Sequence, residues 1–329
     1  MRITVLGAGA WGTALASRLA QRHDVILWAR RDSLISELRQ THINTTYLPN
    51  TPLHPTLNFH SDWNTALQTS QLIILAVPIQ ALREMILRLR NDEYHTTPLL
   101  CLSKGFETEN WYLPHQLIAE LWPKLTHYGV LSGPSFAAEI AQNKPAALTF
   151  AAHKKDFLIR WQPELKDAQL RIYPSEDVIG VELSGAVKNI MALASGLGDG
   201  LQLGQNARAA LITRGLAELT RLGLAMGGQP ETFMGLAGLG DLVLTCTSQT
   251  SRNHQVGEQL ALGKPLSHIL AHIGHVVEGV KATQGALHWA KLHQVELPIT
   301  QGVAHVLTGQ LSPKEGLAQL LERNPHPMI

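Results

Sequence analysis

Charge is scarce in this chain of 329 residues. Only 16% of the residues are charged, against about 25% in an ordinary soluble protein, and 27 Lys and Arg nearly cancel 26 Asp and Glu. The lack of a basic excess argues against nucleic-acid binding, which needs clustered Lys and Arg. The 45% hydrophobic content argues against disorder. The length allows two domains, each with a sizeable core.

Cysteines, metal-binding motifs and long apolar runs are also few. Cys101 and Cys246 form no CxxC motif, which excludes a secreted disulfide framework and makes a reduced, cytoplasmic setting the expectation. His272 and His275 have HxxH spacing, but HExxH is absent, and we expect no metal site. No run approaches the roughly 18 consecutive apolar residues of a membrane helix. The apolar stretch after Met1 could pass for a signal peptide, but glycines interrupt it, which favours a place in the fold.

Three glycines lie between a predicted strand, Ile3–Leu6, and a predicted helix, Thr13–Gln21. In this position Gly7 permits a tight turn, Gly9 lets backbone N–H groups approach a pyrophosphate, and Gly12 allows close helix packing. A second predicted strand follows within about thirty residues, as a dinucleotide-binding unit requires. The GxGxxG motif therefore indicates dinucleotide binding, with an ordinary strand-to-helix turn as the alternative.

The second predicted strand, Val25–Trp28, ends in Ala29-Arg30-Arg31-Asp32. An acidic residue there would bond the ribose 2′-OH of NAD, whereas arginine accommodates the 2′-phosphate of NADP. The two arginines favour NADP, and NAD is expected to be accepted as well. Asp32 could instead cap a helix predicted over Ser33–Arg39.

The remaining patterns predict two domains. Further strands are predicted at Leu72–Val77, Leu99–Leu102, Tyr128–Leu131, Ala146–Ala152 and Leu170–Tyr173. Runs that are apolar throughout are typical of a parallel sheet covered on both faces. Later helices are predicted at Val181–Ser195, Ala207–Leu222, Gln255–Leu260 and Ser267–Ile273. We predict an α/β domain with a mostly parallel sheet over residues 1–180 and an all-helical domain over residues 181–329.

Two charged residues stand alone in long neutral segments. Lys188 is the only charged residue between Glu182 and Asp199, so no carboxylate lies within one turn on its own helix. A desolvated lysine has a lowered pKa and can exchange a proton near neutrality, whereas a lysine at a helix edge would only be solvated. Asp241 follows a glycine-rich turn and could orient a lysine, bind a substrate hydroxyl, or cap a helix.

Cations and hydroxyls at predicted element ends suit a phosphorylated ligand. Ser251, Arg252 and Asn253 precede a predicted helix, where a hydroxyl, a guanidinium and an amide can bind phosphate. The alternative is a simple cap by Ser251 or Asn253, with Arg252 on the surface. Lys104 and the Gly133–Phe136 turn follow predicted strands, at the end where ligands bind in open α/β sheets.

Several of these stretches together resemble a known family. They are Gly7–Gly12, Ser103–Gly105, Gly133–Ala137, Gly185–Asn189, Asn206–Gly215, Gly235–Cys246, Ser251–Asn253 and Val276–Gly279. In this order they closely resemble bacterial NAD(P)-dependent glycerol-3-phosphate dehydrogenases over essentially the whole chain. The family has Ser-Tyr or Ser-Trp where this chain has Ala10-Trp11, so one hydroxyl contact to the cofactor is expected to be lost.

The resemblance implies a Rossmann-type first domain and a helical second domain of the 6-phosphogluconate dehydrogenase-like class. It implies Lys188 as the general acid and base. The implied substrate-binding residues are Lys104, Gly133, Ser135, Lys188, Asp241, Ser251, Arg252 and Asn253. The implied cofactor-binding residues are Gly7, Gly9, Ala10, Trp11, Gly12, Arg30, Arg31, Lys104, Ala137, Arg252, Val276 and Glu278.

The implied reaction is hydride transfer between NAD(P)H and dihydroxyacetone phosphate, supplying glycerol 3-phosphate for phospholipid synthesis in a cytoplasmic homodimer. One alternative is another two-domain dehydrogenase, acting on a 3-hydroxy acid, a sugar phosphate or a 2-hydroxy acid. Such an enzyme should not need Ser251-Arg252-Asn253. A second alternative is a nucleotide-sensing regulator, which would keep the glycine motif but has no use for a buried lysine.

Overall fold

The computed structural model describes residues 1–91, 96–273 and 277–322. They form two compact units. The first contains Met1–Ser103 and Pro114–Val178, and the second contains Lys104–Leu113 and the chain from Ile179 onward. The short Lys104–Leu113 segment therefore joins the second unit, although its neighbours in sequence belong to the first.

The first unit is built on a large β-sheet and a small ribbon. Within the described ranges its strands are β1 (Arg2–Leu6), β2 (Asp24–Trp28), β3 (Ile43–Asn44), β4 (Leu48–Pro52), β5 (Asn58–His60), β6 (Leu72–Leu75), β7 (Leu99–Cys101), β8 (Tyr128–Ser132), β9 (Ala146–Ala152) and β10 (Leu170–Ser175). The large sheet has the order β5-β2-β1-β6-β7-β8-β9-β10, and β3 and β4 pair separately as an antiparallel ribbon.

The predicted mostly parallel sheet is confirmed. Strands β5, β2, β1, β6, β7 and β8 run parallel. The pair β9–β10 is parallel within itself but antiparallel to β8. The central strands are buried along nearly their whole length, which explains their continuous apolar sequences. Chain order reverses at β1, between β2 and β6, and the glycine motif leaves the sheet at this switch point.

Helices cover the sheet. They are α1 (Ala10–Leu19), α2 (Asp32–Thr41), α3 (Trp63–Leu67), α4 (Ile79–Asn91), α5 (Pro114–Leu121), α6 (Ala137–Ala141) and α7 (Lys155–Leu165). Arg18 of α1, only 4% exposed, donates twice to Asp167, at 2.6 and 2.7 Å. This bidentate pair links α1 to the segment that follows α7 and satisfies the buried guanidinium.

The regular secondary structure of the second unit is all helical within its described residues. Its helices are α8 (Val178–Gly200), α9 (Gly204–Ala225), α10 (Pro230–Met234), α11 (Asp241–Thr247), α12 (Arg252–Ala261), α13 (Leu266–Ile273), α14 (Glu278–Leu292), α15 (Pro298–Leu307) and α16 (Pro313–Glu322), with a π-helical turn at Leu236–Gly240. Glu218 of α9 accepts the backbone N–H groups of Ile299 and Thr300, and thereby binds two donors that the start of α15 leaves open.

The helix α8 lies at the centre of the second unit. By length and composition alone it could cross a membrane, with a mean hydropathy of 1.3 over its most apolar window. However, 89% of that window is buried within the protein. A helix that is apolar on all sides and buried by its neighbours is expected at the core of a helical domain.

Candidate active site

Packing within the protein requires a glycine at two positions of the glycine motif, but not at the third. Gly7 has a φ of +118°, and a Cβ there would lie 2.5 Å from the Ala76 carbonyl oxygen. A Cβ on Gly12 would lie 2.1 Å from the carbonyl oxygen of Gly7. A Cβ on Gly9 would meet nothing within 4 Å. The space beside Gly9 is therefore open, as the close approach of a phosphate requires.

The start of α1 adjoins this open space. Gly9 occupies the N-cap position without a side-chain cap, and Ala10 and Trp11 form the first turn. The first N–H groups of a helix have no acceptor within the helix, and its dipole favours negative charge there. The local structure thus fits the pyrophosphate of a dinucleotide. Because Ala10 has no hydroxyl, the donors at this point would be backbone N–H groups.

The arginines after β2 are both exposed. The Arg31 Nη2 donates to the Tyr47 hydroxyl at 3.2 Å, and its guanidinium lies 5.9 Å from the centre of the Tyr47 ring. Tyr47 therefore fixes the direction of one arginine, which the sequence did not indicate. The alternative cap role of Asp32 is wrong, because Arg31 occupies the N-cap position and Asp32 is the first residue of α2.

The predicted turn after β8 is present in the first unit. Gly133 has a φ of +137°, which an L side chain rarely adopts. The Ser135 hydroxyl donates to the Gly133 carbonyl oxygen at 3.0 Å, and Ala137 begins α6. Gly133, Ser135 and Ala137 thus lie at the carboxyl end of a parallel strand, where the sequence places them.

Two lysines share one buried carboxylate in the second unit. Asp241, the first residue of α11, is 1% exposed. Its Oδ1 accepts from Lys188 Nζ at 2.5 Å, and its Oδ2 accepts from Lys104 Nζ at 2.8 Å. The alternatives of a solvated helix-edge lysine and a helix cap are therefore wrong for these two residues. Gly240, not Asp241, occupies the N-cap position of α11.

Burial sets the proton affinities of this cluster. Desolvation lowers the pKa of Lys188 to about 8, and the charge of Lys104 acts in the same direction, while Asp241 opposes both. Burial disfavours the charged form of Asp241, but the ammonium groups of Lys104 and Lys188 outweigh it and hold the pKa of that carboxyl below its usual range. The result is a lysine that can give or take a proton near neutrality beside a carboxylate that remains charged.

Lys104 reaches this cluster because its segment is anchored on α14. The ring of Phe106 fills the space beside Gly285, where a Cβ would lie 2.5 Å from the ring. The Trp289 indole N–H donates to the Trp111 carbonyl oxygen at 2.5 Å. These contacts explain why Lys104–Leu113 belongs to the second unit.

An amide network lies beside the lysines. The Asn253 Nδ2 donates to Asn189 Oδ1 at 3.0 Å, and the Gly279 backbone N–H donates to Asn253 Oδ1 at 3.0 Å. The Asn189 Nδ2 donates to Glu278 Oε2 at 3.2 Å. Burial raises the pKa of Glu278 above its usual range, although Arg252, Lys104 and Lys188 oppose that effect. The charges of Lys104 and Lys188 therefore act on Glu278, which places its carboxyl near the lysine site.

The start of α12 fits both interpretations of its sequence, a helix cap and a phosphate-binding site. The Ser251 Oγ accepts the His254 backbone N–H, so the expected cap is present. Arg252 is exposed at the first helical position and near enough to Glu278 to lower the pKa of its carboxyl. Because Ser251 accepts through oxygen, its O–H is available to donate to a ligand.

The predicted site residues fall into two groups. Lys104, Lys188, Asp241, Ser251, Arg252, Asn253 and Glu278 lie in the second unit, and the remaining described ones lie in the first. Val276 and His275 lie outside the described residues. Asn189, which bonds to both Asn253 and Glu278, was missing from the predicted set. Its position directly after Lys188 in an apolar helix was the signal that could have revealed it.

The part of the chain that the structure describes contains no group of three or more His, Cys, Asp or Glu that could hold a metal ion. Cys101 and Cys246 are buried, and neither is in a disulfide.

Residues 2–158 match the model of the NAD-dependent glycerol-3-phosphate dehydrogenase N-terminus, and residues 177–318 match that of the C-terminus. A relative from Cupriavidus taiwanensis, glycerol-3-phosphate dehydrogenase [NAD(P)+], is 48% identical, covering 98% of this chain and 99% of its own. A solved structure of glycerol-3-phosphate dehydrogenase from Coxiella burnetii is 40% identical, with a TM-score of 0.92, covering 98% of this chain and 99% of that one.

A more distant likeness extends to a D-mandelate dehydrogenase solved with NADH and anilino(oxo)acetate. It is 13% identical, with a TM-score of 0.64, covering 96% of this chain and 99% of that one. This likeness shows a shared fold alone.

Proposed function

We propose, because the chain belongs to the NAD-dependent glycerol-3-phosphate dehydrogenase family, that it interconverts dihydroxyacetone phosphate and sn-glycerol 3-phosphate with NADPH or NADH. The observation that carries the proposal is the carboxylate of Asp241, which Lys188 and Lys104 share. This arrangement gives one lysine a pKa suited to proton transfer. A nucleotide-sensing regulator would have no use for it.

The first unit has the features that a dinucleotide needs. The open space at Gly9 and the start of α1 suit its pyrophosphate, and Arg30 and Arg31 suit a 2′-phosphate. Trp11 and Ala137 are proposed as neighbouring contacts. When bound, the nicotinamide cofactor supplies the hydride for reduction and takes it up in oxidation.

Lys188 is the proposed general acid and base. In its ammonium form it donates a proton to the C2 carbonyl oxygen of dihydroxyacetone phosphate, and in its neutral form it accepts one from the C2 hydroxyl of glycerol 3-phosphate. With a pKa of about 8, both forms are accessible near neutrality. Asp241 holds the Nζ in place through its Oδ1, and its negative charge keeps enough of the lysine protonated to act as an acid.

The phosphate group is proposed to bind at the start of α12. The Arg252 guanidinium, the free O–H of Ser251 and one N–H of Asn253 provide the donors, since Asn253 uses its Oδ1 and one of its two N–H groups within the protein. Lys104 adds a second ammonium beside Lys188. Gly133 and Ser135 are proposed as further substrate contacts, and Glu278 and Val276 as cofactor contacts.

The test is the consumption of NADPH and NADH, followed by absorbance, with dihydroxyacetone phosphate as substrate. The wild-type protein should oxidise the cofactor, and Lys188→Ala should reduce kcat by about 10²–10⁴-fold, the usual range for a general acid. Lys281→Ala, which removes an exposed lysine of α14, is the matched control and should keep the wild-type rate. A wild-type protein that oxidises neither cofactor contradicts the assignment, and full activity of Lys188→Ala contradicts the role of that lysine.

The family relationship supports three further proposals. The physiological direction is reduction, which supplies glycerol 3-phosphate for phospholipid synthesis. The protein is a homodimer, to be measured by light scattering at micromolar concentration. It acts in the cytoplasm without a membrane span, and the burial of α8 within the protein is the observation that agrees with this.

A further inference from the structure

A second polar cluster lies away from the lysines, at the far end of α8. The His254 Nε2 lies 2.7 Å from Asp199 Oδ2. Arg208 of α9 donates to both oxygens of the same carboxylate, through Nη2 at 2.5 Å and through Nε at 3.2 Å. The His254 side chain is 3% exposed and that of Asp199 is 17% exposed. The proposed function uses none of these three side chains.

The hydrogen-bond pattern gives His254 a defined direction. Its Nδ1 is buried without a hydrogen-bond partner among the described residues, so the ring makes its hydrogen bond through Nε2, which donates to the carboxylate. Arg208 donates to both oxygens of the Asp199 carboxylate, and this bidentate arrangement limits the rotation of the carboxylate. Asp199 is thus a fixed acceptor, and His254 can point in one direction only.

The two helices that this pair joins touch backbone to backbone. A Cβ on Gly196 of α8 would lie 1.9 Å from the His254 carbonyl oxygen, and a Cβ on Gly257 of α12 would lie 2.1 Å from the Leu193 carbonyl oxygen. Glycine permits such close approach, but it provides no side chain that interlocks with the partner helix. A shift of α12 along α8 would bring residues with a Cβ into these positions, so the glycine contacts determine where the two helices touch. Polar side chains on either side of these contacts can then hold the angle between the helices.

The register of these helices determines the geometry of the proposed site. The helix α8 carries Lys188, and α12 begins with Arg252 and Asn253. One polar link, between Asn189 and Asn253, lies at the site itself. The link from Asp199 to His254 joins the same two helices ten residues, or about 15 Å, further along α8. On α12 the two links start from the neighbouring residues Asn253 and His254, and on α8 they end at well-separated residues. Together they restrain pivoting of α12, which one link would allow.

We propose that His254, held by Asp199 and Arg208, is a positioning residue that fixes α12 against α8 and thereby sets the distance between Lys188 and the phosphate-binding donors at the start of α12. The proposal rests on the proposed function, because it concerns the spacing of two groups assigned there. A displacement of about 1 Å between reacting and binding groups can reduce turnover about 10²-fold. His254 would act without touching substrate or cofactor.

The test compares two substrates in His254→Leu, which removes the donor and keeps an apolar side chain of moderate size. With dihydroxyacetone phosphate, kcat/KM should fall about 10–100-fold. With unphosphorylated dihydroxyacetone, kcat/KM should change less than about twofold, because a substrate without a phosphate does not bind the donors of α12 and can move with Lys188. The dissociation constant of NADPH, measured by fluorescence, should not change. His254→Gln, whose amide can donate from a position near that of Nε2, should restore the ratio of the two kcat/KM values to near that of the wild type.

His268→Leu, which removes an exposed imidazole of α13, is the control and should leave both values unchanged. If His254→Leu does not fold, Asp199→Asn replaces it, since that change weakens the same link and leaves the ring in place. Equal losses with both substrates would show a purely structural role and overturn the proposal, as would no loss with either. Absence of dihydroxyacetone phosphate turnover in the wild type would instead refute the proposed function, so the two failures are distinguishable.

Discussion

The substitution Asp241→Asn tests the lysine site most directly. Asparagine has nearly the shape of aspartate, but it cannot carry the charge that Lys188 and Lys104 share. In the variant, the charge of Lys104 and the burial of Lys188 both still disfavour the Lys188 ammonium, and no carboxylate at position 241 opposes them. The pKa of Lys188 should therefore fall.

The size of this decrease follows from the geometry. The Lys188 Nζ lies 2.5 Å from the nearer carboxylate oxygen. Two unit charges about 4 Å apart attract by about 4 kcal/mol at an effective dielectric constant near 20. At about 1.4 kcal/mol for each pKa unit, this corresponds to a decrease of about three. The pKa of Lys188 should thus move from about 8 to about 5.

The pH dependence of the two reaction directions reports this change. With Lys188 as the proposed general acid and base, reduction of dihydroxyacetone phosphate by the wild type needs the Lys188 ammonium, so kcat/KM should fall as pH rises through about 8. Oxidation of glycerol 3-phosphate needs the neutral amine and should rise through the same pH. In Asp241→Asn the reduction limb should move to about pH 5, which at pH 7 leaves about one hundredth of the lysine protonated.

The measurement follows NADPH absorbance from pH 4.5 to pH 10, with circular dichroism at each pH to confirm folding. Asp167→Asn is the matched control, because it removes the carboxylate of the Arg18 pair in the first unit and should leave the midpoint near pH 8. A folded Asp241→Asn protein whose reduction limb still has its midpoint near pH 8 would refute the assignment of Asp241 as the group that sets the Lys188 pKa.

Three further predictions concern other parts of the molecule. Gly9→Ala should change the free energy of unfolding by less than about 0.5 kcal/mol but weaken NADPH binding about tenfold or more. Gly12→Ala should instead lower the free energy of unfolding by about 1–3 kcal/mol or more. Urea unfolding measures the stability of each variant, and fluorescence titration measures its NADPH binding. Arg30→Ala should weaken NADPH binding more than NADH binding, and equal weakening in the same titration would reject its role at the 2′-phosphate. Trp289→Phe leaves a carbonyl oxygen without its donor, so it should lower the free energy of unfolding by about 1–3 kcal/mol and raise KM for dihydroxyacetone phosphate through looser anchoring of Lys104. An unchanged KM would contradict that anchoring.

Local chemistry explains which features the sequence revealed. The glycine motif was predictable because its glycines, the preceding strand and the following helix are neighbours in the chain. The central strands were predictable because burial on both faces demands continuous apolar residues. The strands β3 and β5 were missed, since segments of two and three residues carry no periodicity. The five-residue strand β4 was missed because it contains two prolines, which argue against a strand. The π-helical turn Leu236–Gly240 was missed because glycine-rich sequence suggested an irregular joint.

Contacts between distant residues were not accessible in the same way. Lys188 and Asp241 were each found by their isolation, but 53 positions separate them, and 137 separate Lys104 from Asp241. The Lys104 position depends on the anchoring of its segment by Trp289 and Phe106, which no local pattern predicts. The link between His254 and Asp199 was missed for the same reason.

The scarcity of charge has a physical consequence at this site. In a charge-rich domain, many surrounding ions and their water would shield a lysine from any single partner. Here Lys188 lies in an apolar helix whose neighbouring turns carry no charge, so Asp241 and Lys104 act on it at close range through a poorly polarisable surrounding. Each of the two can therefore move its pKa by a large amount, which is why one substitution at position 241 is expected to alter both directions of the reaction. The neutral surroundings thus make the pKa of Lys188 sensitive to its two neighbours, and they leave the proposed phosphate binding to the few donors at Gly9, Arg30, Arg31 and Arg252.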